Sequence, residues 1–329
     1  MIENANQQAE PLLDIRGLSV EYLVGDTRLR AVDRVSFTIN KGETVGLAGE
    51  SGCGKSTLAF ALAKLHKPPA LIAEGEVLYK GQDVLAFNDE ELRRFRWKET
   101  SVVFQSAMNC LNPVISINEQ VCDVLSAHNP TMNRNELQDR AGELLKIVGI
   151  HPDRLNQYPH QFSGGMRQRA VLAISLALKP QLIIMDEPTT ALDVVVEREI
   201  MDQLSELKEQ FGFSILLISH DLSLMGEITD RIAVMYAGKL VEIAPTEDVL
   251  FKPQHPYTKG LINSFPHLFG EKKELTGIPG NPLSLYSPPA GCYFEERCSE
   301  RIHRCKSVDP KLVTLHTGHK VKCHLFSQS

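Results

Sequence analysis

Alternating apolar and polar positions near the start of the chain predict β-strands. Residues 19–22 (SVEY) and 35–39 (VSFTI) alternate between apolar and polar types with a period of two, which is typical of strands with one buried face. Gly25 and Asp26 lie between these runs and are common turn residues. We therefore expect an antiparallel hairpin region in this part of the chain.

A strand, a glycine-rich turn and a series of helices are predicted next. Residues 44–48 (TVGLA) have the length of a buried strand, and residues 55–65 have the length and the Ala and Leu content of a helix. From about residue 119 to residue 148 the apolar positions follow a helical period that Gly149 closes. We therefore expect a helical insert at about residues 107–165.

The second half of the chain carries the pattern of a parallel sheet. The apolar runs 182–185 and 213–218 are separated by a helix-length stretch at residues 194–210, and a further helix is predicted over residues 165–178, before Pro180. Strand, helix and strand in this order are typical of an α/β fold. The chain contains no internal repeat, so it carries one copy of this core.

The sequence changes character near Ala244 and Pro245. From Pro245 to the end there are nine Pro, four Cys and six His, with little sustained periodicity. We therefore divide the chain into a domain at residues 1–244 and a C-terminal extension at residues 245–329.

Composition narrows the class of protein. Apolar residues make up 43% of the 329 positions and charged residues 23%, which excludes a disordered chain. The net charge of −6 disfavours a nucleic-acid-binding surface. No apolar run reaches the roughly 18 residues that span a bilayer, and the polar start lacks a secretory signal, so we expect a cytoplasmic chain with reduced thiols.

A phosphate-binding loop is predicted between the strand at residues 44–48 and the helix that follows. The segment GESGCGKS fits the pattern GxxxxGK[ST], in which glycines let backbone N–H groups approach phosphate oxygens and the helix N-terminus adds its positive end. We expect Lys55 to reach the β- and γ-phosphates and Ser56 to hold Mg²⁺. The candidate ATP-binding residues of the loop are Gly49, Ser51, Gly52, Cys53, Gly54, Lys55, Ser56 and Thr57.

Two carboxylates end the apolar run LIIMDE at residues 182–187, which predicts a Walker B motif. Asp186 is expected to contact Mg²⁺, and Glu187 lies where a general base could polarise the attacking water. The alternative is that the two acids cap the following helix, and the P-loop earlier in the chain disfavours this interpretation.

Further motifs resemble those of ATP-binding cassette (ABC) proteins. The segment FSGGMRQ, residues 162–168, resembles the signature motif of this family. Gln105 resembles the Q-loop glutamine, Ala191-Leu192-Asp193 the D-loop, and His220 the switch histidine, and these motifs occur in the family's order. The resemblance covers about residues 12–244.

The resemblance implies an α/β P-loop NTPase (ABC ATPase) core with an antiparallel β subdomain, a helical insert and a small Cys-containing extension. It implies ATP and Mg²⁺ as ligands, with Tyr22 stacked on the adenine. It also implies Glu187, His220 and Gln105 as catalytic residues and Ser56, Gln105 and Asp186 as the residues around Mg²⁺.

In this family the signature motif faces the nucleotide held by another subunit. The resemblance therefore implies that Ser163, Gly164 and Gly165 contact ATP on a partner, and that the chain works as a dimer. Met166 departs from the commonest signature, which has Gln there, and a thioether is only a weak acceptor. Because the Ser163 hydroxyl and the glycine amides remain, we expect activity to survive.

Two segments resemble the oligopeptide and dipeptide group of ABC importers. They are residues 105–114 (QSAMNCLNPV) and residues 255–262 (HPYTKGLI). The group also includes importers of nickel, glutathione and oligosaccharides, so the solute stays open. The implied partners are a second ATPase subunit, two transmembrane permease subunits and an extracytoplasmic solute-binding protein, at the cytoplasmic face of the cell membrane and without nucleic acid.

Four cysteines cluster in the extension, at Cys292, Cys298, Cys305 and Cys323, with gaps of 5, 6 and 17 residues. These spacings match neither bacterial ferredoxins nor zinc ribbons. From Ala290 onward seven Lys and Arg face four Asp and Glu, which would offset an anionic thiolate cluster. The resemblance to dipeptide-type subunits implies an iron–sulfur cluster of the 4Fe-4S type. Zinc, held by the four Cys or with His324 as a substitute, and free thiols are the alternatives.

The sequence thus predicts the ATP-hydrolysing subunit of an ABC importer of peptides or a related solute. One alternative is a soluble ABC ATPase that acts on ribosomes or DNA, although the second cassette or long coiled coil usual in such proteins is not evident. The other alternative is a nucleotide-gated iron or redox sensor, which would not need both Glu187 and His220.

Overall fold

The structure, a computed structural model, describes residues 10–105, 110–190, 192–264, 277–316 and 318–327. The strands are β1 Leu13–Val24, β2 Thr27–Ile39, β3 Thr44–Ala48, β4 Ala70–Tyr79, β5 Gln82–Asp83, β6 Thr100–Val103, β7 Leu182–Asp186, β8 Ser214–Ile218, β9 Arg231–Tyr236, β10 Lys239–Pro245, β11 Val313–His316 and β12 His319–Val321. The helices are α1 Lys55–Leu62, α2 Asp89–Phe95, α3 Ile117–His128, α4 Arg134–Ile147, α5 Gly164–Ser175, α6 Val194–Phe211, α7 Leu222–Ile228, α8 Thr246–Phe251 and α9 Pro256–Asn263.

The N-terminal hairpin forms as expected. β1 and β2 pair antiparallel across the turn that contains Gly25 and Asp26, with Leu18 opposite Val35. Within the described residues this hairpin belongs to a four-stranded sheet with the order β2-β1-β4-β5. The predicted antiparallel β region is thereby confirmed.

A second sheet has the strand order β11-β12-β10-β9-β3-β8-β7-β6 in the described part of the chain. The five strands from β9 to β6 run parallel, and α6 connects β7 to its neighbour β8 as the βαβ pattern predicts. Alternate side chains of β7 point to opposite faces: Ile183 enters one hydrophobic cluster and Ile184 the other. The parallel strands are therefore buried on both faces, as their continuous apolar runs require.

The helical region differs from the expected single periodic stretch. Residues 119–148 contain two helices, α3 and α4, instead of one. Pro130 follows the end of α3 and has no N–H to continue a helix, and Asn133 caps α4 by accepting from the backbone of Glu136. The prediction of a single periodic stretch overlooked these two local signals, Pro130 and Asn133.

The chain after β10 returns to the second sheet. β12 pairs antiparallel with β10, with Glu242 opposite Val321, and β11 pairs with β12. Part of the C-terminal extension thus continues the sheet that carries β3 and β7. Within the described residues, no helix is long and apolar enough to cross a membrane.

Candidate nucleotide site

The P-loop connects β3, which ends at Ala48, to α1, which begins at Lys55. Gly49 and Gly54 have φ angles of +145° and +104°, in a region that residues with a side chain rarely adopt. A Cβ at Gly54 would lie 2.3 Å from the Ala31 carbonyl oxygen, and one at Gly49 would lie 2.2 Å from that of Met235. Both glycines are therefore required by the fold as well as by close approach of a phosphate.

The lysine of the loop is held over its own backbone. Lys55 Nζ is buried and donates to the carbonyl oxygens of Gly49, at 2.8 Å, and Glu50, at 3.0 Å. A phosphate oxygen would offer this ammonium a stronger, charge-assisted bond. Burial raises the pKa of the Cys53 thiol, so Cys53 stays neutral and would serve a nucleotide through its backbone alone. Ser51 and Gly52 are exposed.

Two oxygen-bearing side chains, Ser56 and Asp186, lie beside the loop. Asp186 ends β7 with 1% of its surface exposed, and its carboxylate accepts a hydrogen bond from the Ser56 hydroxyl. Within the described residues, its Oδ1 atom is buried and has no hydrogen-bond partner. Burial raises the pKa of Asp186, and the neighbouring charge of Glu187 adds to this rise. A hard divalent cation that prefers oxygen ligands fits this orphaned carboxylate and hydroxyl.

Glu187 is surrounded by the other catalytic candidates. Gln105 Nε2 donates to Glu187 Oε2 at 2.8 Å, and His220 Nδ1 lies 3.8 Å from Glu187 Oε1. The backbone of Glu187 has a φ angle of +47°, which is a strained conformation of the kind found at functional sites. Thr190 donates to the same carboxylate at 3.1 Å. Thr190 was not predicted from the sequence, since a hydroxyl three residues after Glu187 gives no periodic signal.

The remaining candidates lie near this site or on the neighbouring helices. The Tyr22 hydroxyl is 3.2 Å from that of Thr57 on α1, so the predicted adenine-stacking ring lies beside the P-loop helix. Ser163 is exposed and caps α5 by accepting from the Met166 N–H at 3.3 Å. A Cβ at Gly165 would lie 2.7 Å from Val196 Cγ1, so the signature glycine also permits close contact of α5 with α6.

Two of the sequence predictions fall partly outside the described residues. They are Ala191 of the D-loop and residues 106–109 of the segment that resembles peptide importers. The rest of the D-loop is described: Asp193 accepts from the Val196 N–H at 3.0 Å and caps α6.

Comparison with known proteins identifies the family. The profile described as ABC transporter matches residues 32–190, and the profile described as oligopeptide/dipeptide transporter, C-terminal region, matches residues 241–305. The dipeptide transport ATP-binding protein DppD of Bacillus subtilis is 42% identical over 97% of this chain and 96% of its own length. The chain belongs to the ATP-binding subunits of dipeptide and oligopeptide ABC transporters.

Other relatives agree with this assignment. The oligopeptide transport ATP-binding protein OppD of Escherichia coli is 41% identical, over 93% of this chain and 91% of its own length. A dimeric structure of the ATP-binding cassette MJ0796 bound to ADP and Pi matches with a TM-score of 0.64 and 30% identity, over 71% of this chain and 98% of that chain. The predicted ABC ATPase fold and ATPase activity are thereby confirmed.

The structure shows the surroundings of Met166, the residue at which the signature motif departs from the commonest pattern. In this ABC subunit the Met166 side chain packs against the larger hydrophobic cluster, which also contains Phe162 and Ala170. Its role in the described structure is therefore apolar packing behind the signature motif, while the Ser163 hydroxyl stays exposed.

The four cysteines of the extension lie within electrostatic range of one another. Burial raises the pKa of Cys292 to about 12 and that of Cys323 to about 11, and in both cases the neighbouring thiols add to the rise. The Cys292 N–H donates to the Cys305 carbonyl oxygen at 2.7 Å. Among the described residues, however, no group of three or more His, Cys, Asp or Glu is arranged so that it could hold a metal ion.

Proposed function

We propose that this chain powers the import of dipeptides or oligopeptides by binding and hydrolysing ATP. The observation that carries the proposal is the convergence of Gln105, Thr190 and His220 on the Glu187 carboxylate, next to Asp186. The names of relatives that share about 40% of their residues over almost the whole chain support peptides as the solute class.

The proposed chemistry divides among these side chains. Ser56 and Asp186, with Gln105 nearby, would hold Mg²⁺, which when bound neutralises charge on the phosphates. Lys55 would exchange its two carbonyl partners for phosphate oxygens. Glu187 would accept the proton of the attacking water, while Gln105 and Thr190 fix the carboxylate. His220 would help to position the attacking water relative to the Glu187 carboxylate.

Replacing Glu187 by Gln tests the hydrolysis step. We expect ATP affinity to persist and turnover to fall by roughly 10²-fold or more, because the base is lost while the phosphate and Mg²⁺ contacts remain. Glu209→Gln at the exposed end of α6 is the matched control. Turnover should be measured in the assembled transporter, together with uptake of labelled dipeptide. Unchanged turnover in Glu187→Gln would contradict the assignment.

The proposed assembly contains a second ATPase subunit, two permease subunits and a solute-binding protein, with this chain peripheral on the cytoplasmic face of the membrane. Ser163 would serve ATP on the partner's P-loop. The exposed Ser163 hydroxyl and the dimeric state of the related cassette structure support this arrangement. In a Glu187→Gln background ATP should join two ATPase subunits, and Ser163→Arg should prevent this. Unaffected association of Ser163→Arg would argue against it.

We further propose that residues 1–244 form the ATPase domain and that Cys292, Cys298, Cys305 and Cys323 in the extension hold one iron–sulfur cluster. The backbone hydrogen bond from Cys292 to Cys305, which brings two of these cysteines together, supports a shared site. Because burial raises the pKa of the Cys292 and Cys323 thiols, so that both are protonated when unliganded, cluster binding would release protons.

Metal analysis tests this cluster. Protein purified without oxygen should be brown and contain iron and acid-labile sulfide, and Cys323→Ser should lose the colour. Cys110→Ser, at an exposed cysteine outside the extension, is the control. Turnover at saturating ATP should fall far less in Cys323→Ser than in Glu187→Gln. Stoichiometric zinc without iron would overturn the metal assignment.

A further inference from the structure

Hydrogen bonds join the described part of the C-terminal extension to the P-loop residue Glu50. The backbone N–H of Glu50 donates to the Tyr257 hydroxyl at 2.9 Å. The Glu50 carboxylate accepts from Arg297 Nη1 at 2.7 Å and from Arg297 Nη2 at 2.9 Å. Tyr257 lies in the HPYTKGLI segment, and Arg297 directly precedes Cys298, so neither belongs to a nucleotide-binding motif.

Arg297 is fixed in place by several other contacts. Only 6% of its side chain is exposed, and its Nε atom donates to the Pro279 carbonyl oxygen at 2.8 Å. Its guanidinium lies 5.7 Å from the ring centre of Tyr236 and 5.9 Å from that of Phe294. A planar guanidinium held in this way presents a fork that matches a carboxylate, which a lysine could not reproduce.

Tyr257 is equally constrained. It is fully buried, and its ring centre lies 4.7 Å from that of Tyr236 and 5.4 Å from that of Phe294. Its hydroxyl is therefore set by aromatic packing, and the backbone of Glu50 is attached to a rigid group. The rigid β9 strand, which ends at Tyr236, also supplies the Met235 carbonyl that faces Gly49.

A glutamate in a phosphate-binding loop is an electrostatic problem, because an unpaired carboxylate beside a triphosphate repels it. Arg297 compensates this charge with two hydrogen bonds from a buried position. We propose that Arg297 and Tyr257 are positioning residues of the nucleotide site: Arg297 neutralises and orients Glu50, and Tyr257 fixes its backbone. The extension thereby completes the P-loop, whether or not its cysteines carry a cluster.

Equilibrium binding of a nonhydrolysable ATP analogue with Mg²⁺ to the full chain tests this proposal. Arg297→Gln should raise the Kd by about tenfold, the order of one uncompensated charge near bound phosphates. Adding Glu50→Gln should bring the Kd back to within about threefold of wild type, since the unpaired charge is then removed. Arg297→Lys should be intermediate because it keeps the charge but loses the fork.

The control is Lys259→Gln, which breaks an exposed ion pair with Glu300 in the same extension. It should leave the Kd unchanged. The melting temperature without nucleotide shows whether each variant is folded. If Arg297→Gln does not fold, Arg297→Lys takes its place in the pair with Glu50→Gln, and Tyr257→Phe tests the backbone contact independently with an expected several-fold rise in Kd.

Two results would overturn the proposal. One is a folded Arg297 variant that binds the analogue as tightly as wild type. The other is a weakened Arg297 variant that Glu50→Gln does not restore, because this would reduce Arg297 to an anchor of the extension. Neither result would alter the role of Glu187, which is read from turnover.

Discussion

The nucleotide-binding core and the C-terminal extension differ in the kinds of side-chain contact that stabilise them. In the core, every residue of β3, β7 and β8 is buried, and apolar side chains fill both faces of the sheet. In the described part of the extension the regular strands are short, and polar pairs join it to the core in addition to apolar side chains such as Tyr257 and Phe294. His319 Nε2 lies 2.7 Å from Glu242 Oε1, and Lys239 Nζ lies 2.8 Å from Asp309 Oδ2.

The contrast shows what each kind of contact specifies. Apolar burial is non-directional and tolerates many arrangements, whereas a buried ion pair allows only the geometry in which both partners meet. Breaking such a pair costs about 3–5 kcal/mol because one charge stays buried alone. Apolar side chains of the extension, such as Tyr257 and Phe294, join the hydrophobic cluster of the core, and a few directional polar partners, one of which is Glu50 in the P-loop, fix its orientation.

The largest effect is expected when one methyl group is added to the P-loop of the core. Gly54→Ala places a Cβ 2.3 Å from the Ala31 carbonyl oxygen at a φ of +104°, so the P-loop must distort. We expect ATP binding to weaken by roughly 10²-fold or more, because the distorted loop no longer directs its backbone N–H groups toward the phosphate oxygens. Binding of a fluorescent nucleotide measures this effect.

Gly42→Ala is the control for this substitution. Gly42 also has a positive φ, of +74°, but a Cβ there meets nothing within 4 Å. It should cost about 1 kcal/mol of stability from backbone strain and leave nucleotide affinity unchanged. Equal losses of affinity in the two variants would show that the steric argument is wrong.

Acidification should loosen the extension before the core. Burial lowers the pKa of His255 to about 4, and its Nδ1 atom accepts from the Tyr257 N–H at 3.0 Å. A depressed folded-state pKa means that this stability is complete above the unfolded pKa of about 6.5 and is lost as pH falls toward 4. The loss approaches roughly 3 kcal/mol at the acid end.

Hydrogen exchange across this pH range measures the effect in residues 255–264 and 277–327. His255→Asn should flatten the pH dependence, because an amide oxygen still caps α9 but does not titrate. His303→Asn, at an exposed histidine of the extension, should leave the dependence as it is. A core that exchanges first on acidification would reverse the expected order.

The smallest expected effect is a gain of stability in the core. Asp186→Asn removes a buried carboxylate that has no partner on Oδ1, and we expect the nucleotide-free protein to gain about 1 kcal/mol. Since the folded-state pKa of Asp186 is raised, the wild type is penalised as pH rises from the unfolded value through the folded one. The advantage of the variant should therefore be absent at low pH and present at neutral pH.

Thermal melts with and without Mg·ATP check this prediction. The nucleotide should raise the melting temperature of the wild type much more than that of Asp186→Asn, because the variant lacks the charged oxygen for Mg²⁺. Ser205→Ala on α6, far along the chain from the P-loop, serves as a neutral reference. A variant less stable than wild type at neutral pH would contradict the cost assigned to the carboxylate.

Local pattern was sufficient for the core and for most of the nucleotide site. The spacing of glycines before Lys55 and the carboxylates that end β7 are short-range features, and parallel strands bring their carboxyl ends to one edge of a sheet. This is why Gln105, Glu187 and His220 meet as the motif order suggested. The contact of Thr190 with Glu187 could not be predicted in this way, because it depends on the conformation of the turn after β7.

Other features depended on the tertiary structure. The pairing of β12 with β10 joins strands that are remote from each other in the sequence. Glu50 and Arg297 are 247 positions apart, and the sequence around either residue does not predict that the two form an ion pair. By itself the sequence determined the chemistry available at the P-loop. Only the tertiary structure decided that Arg297 compensates the charge of Glu50, because residues so far apart in the sequence meet only when the chain is folded.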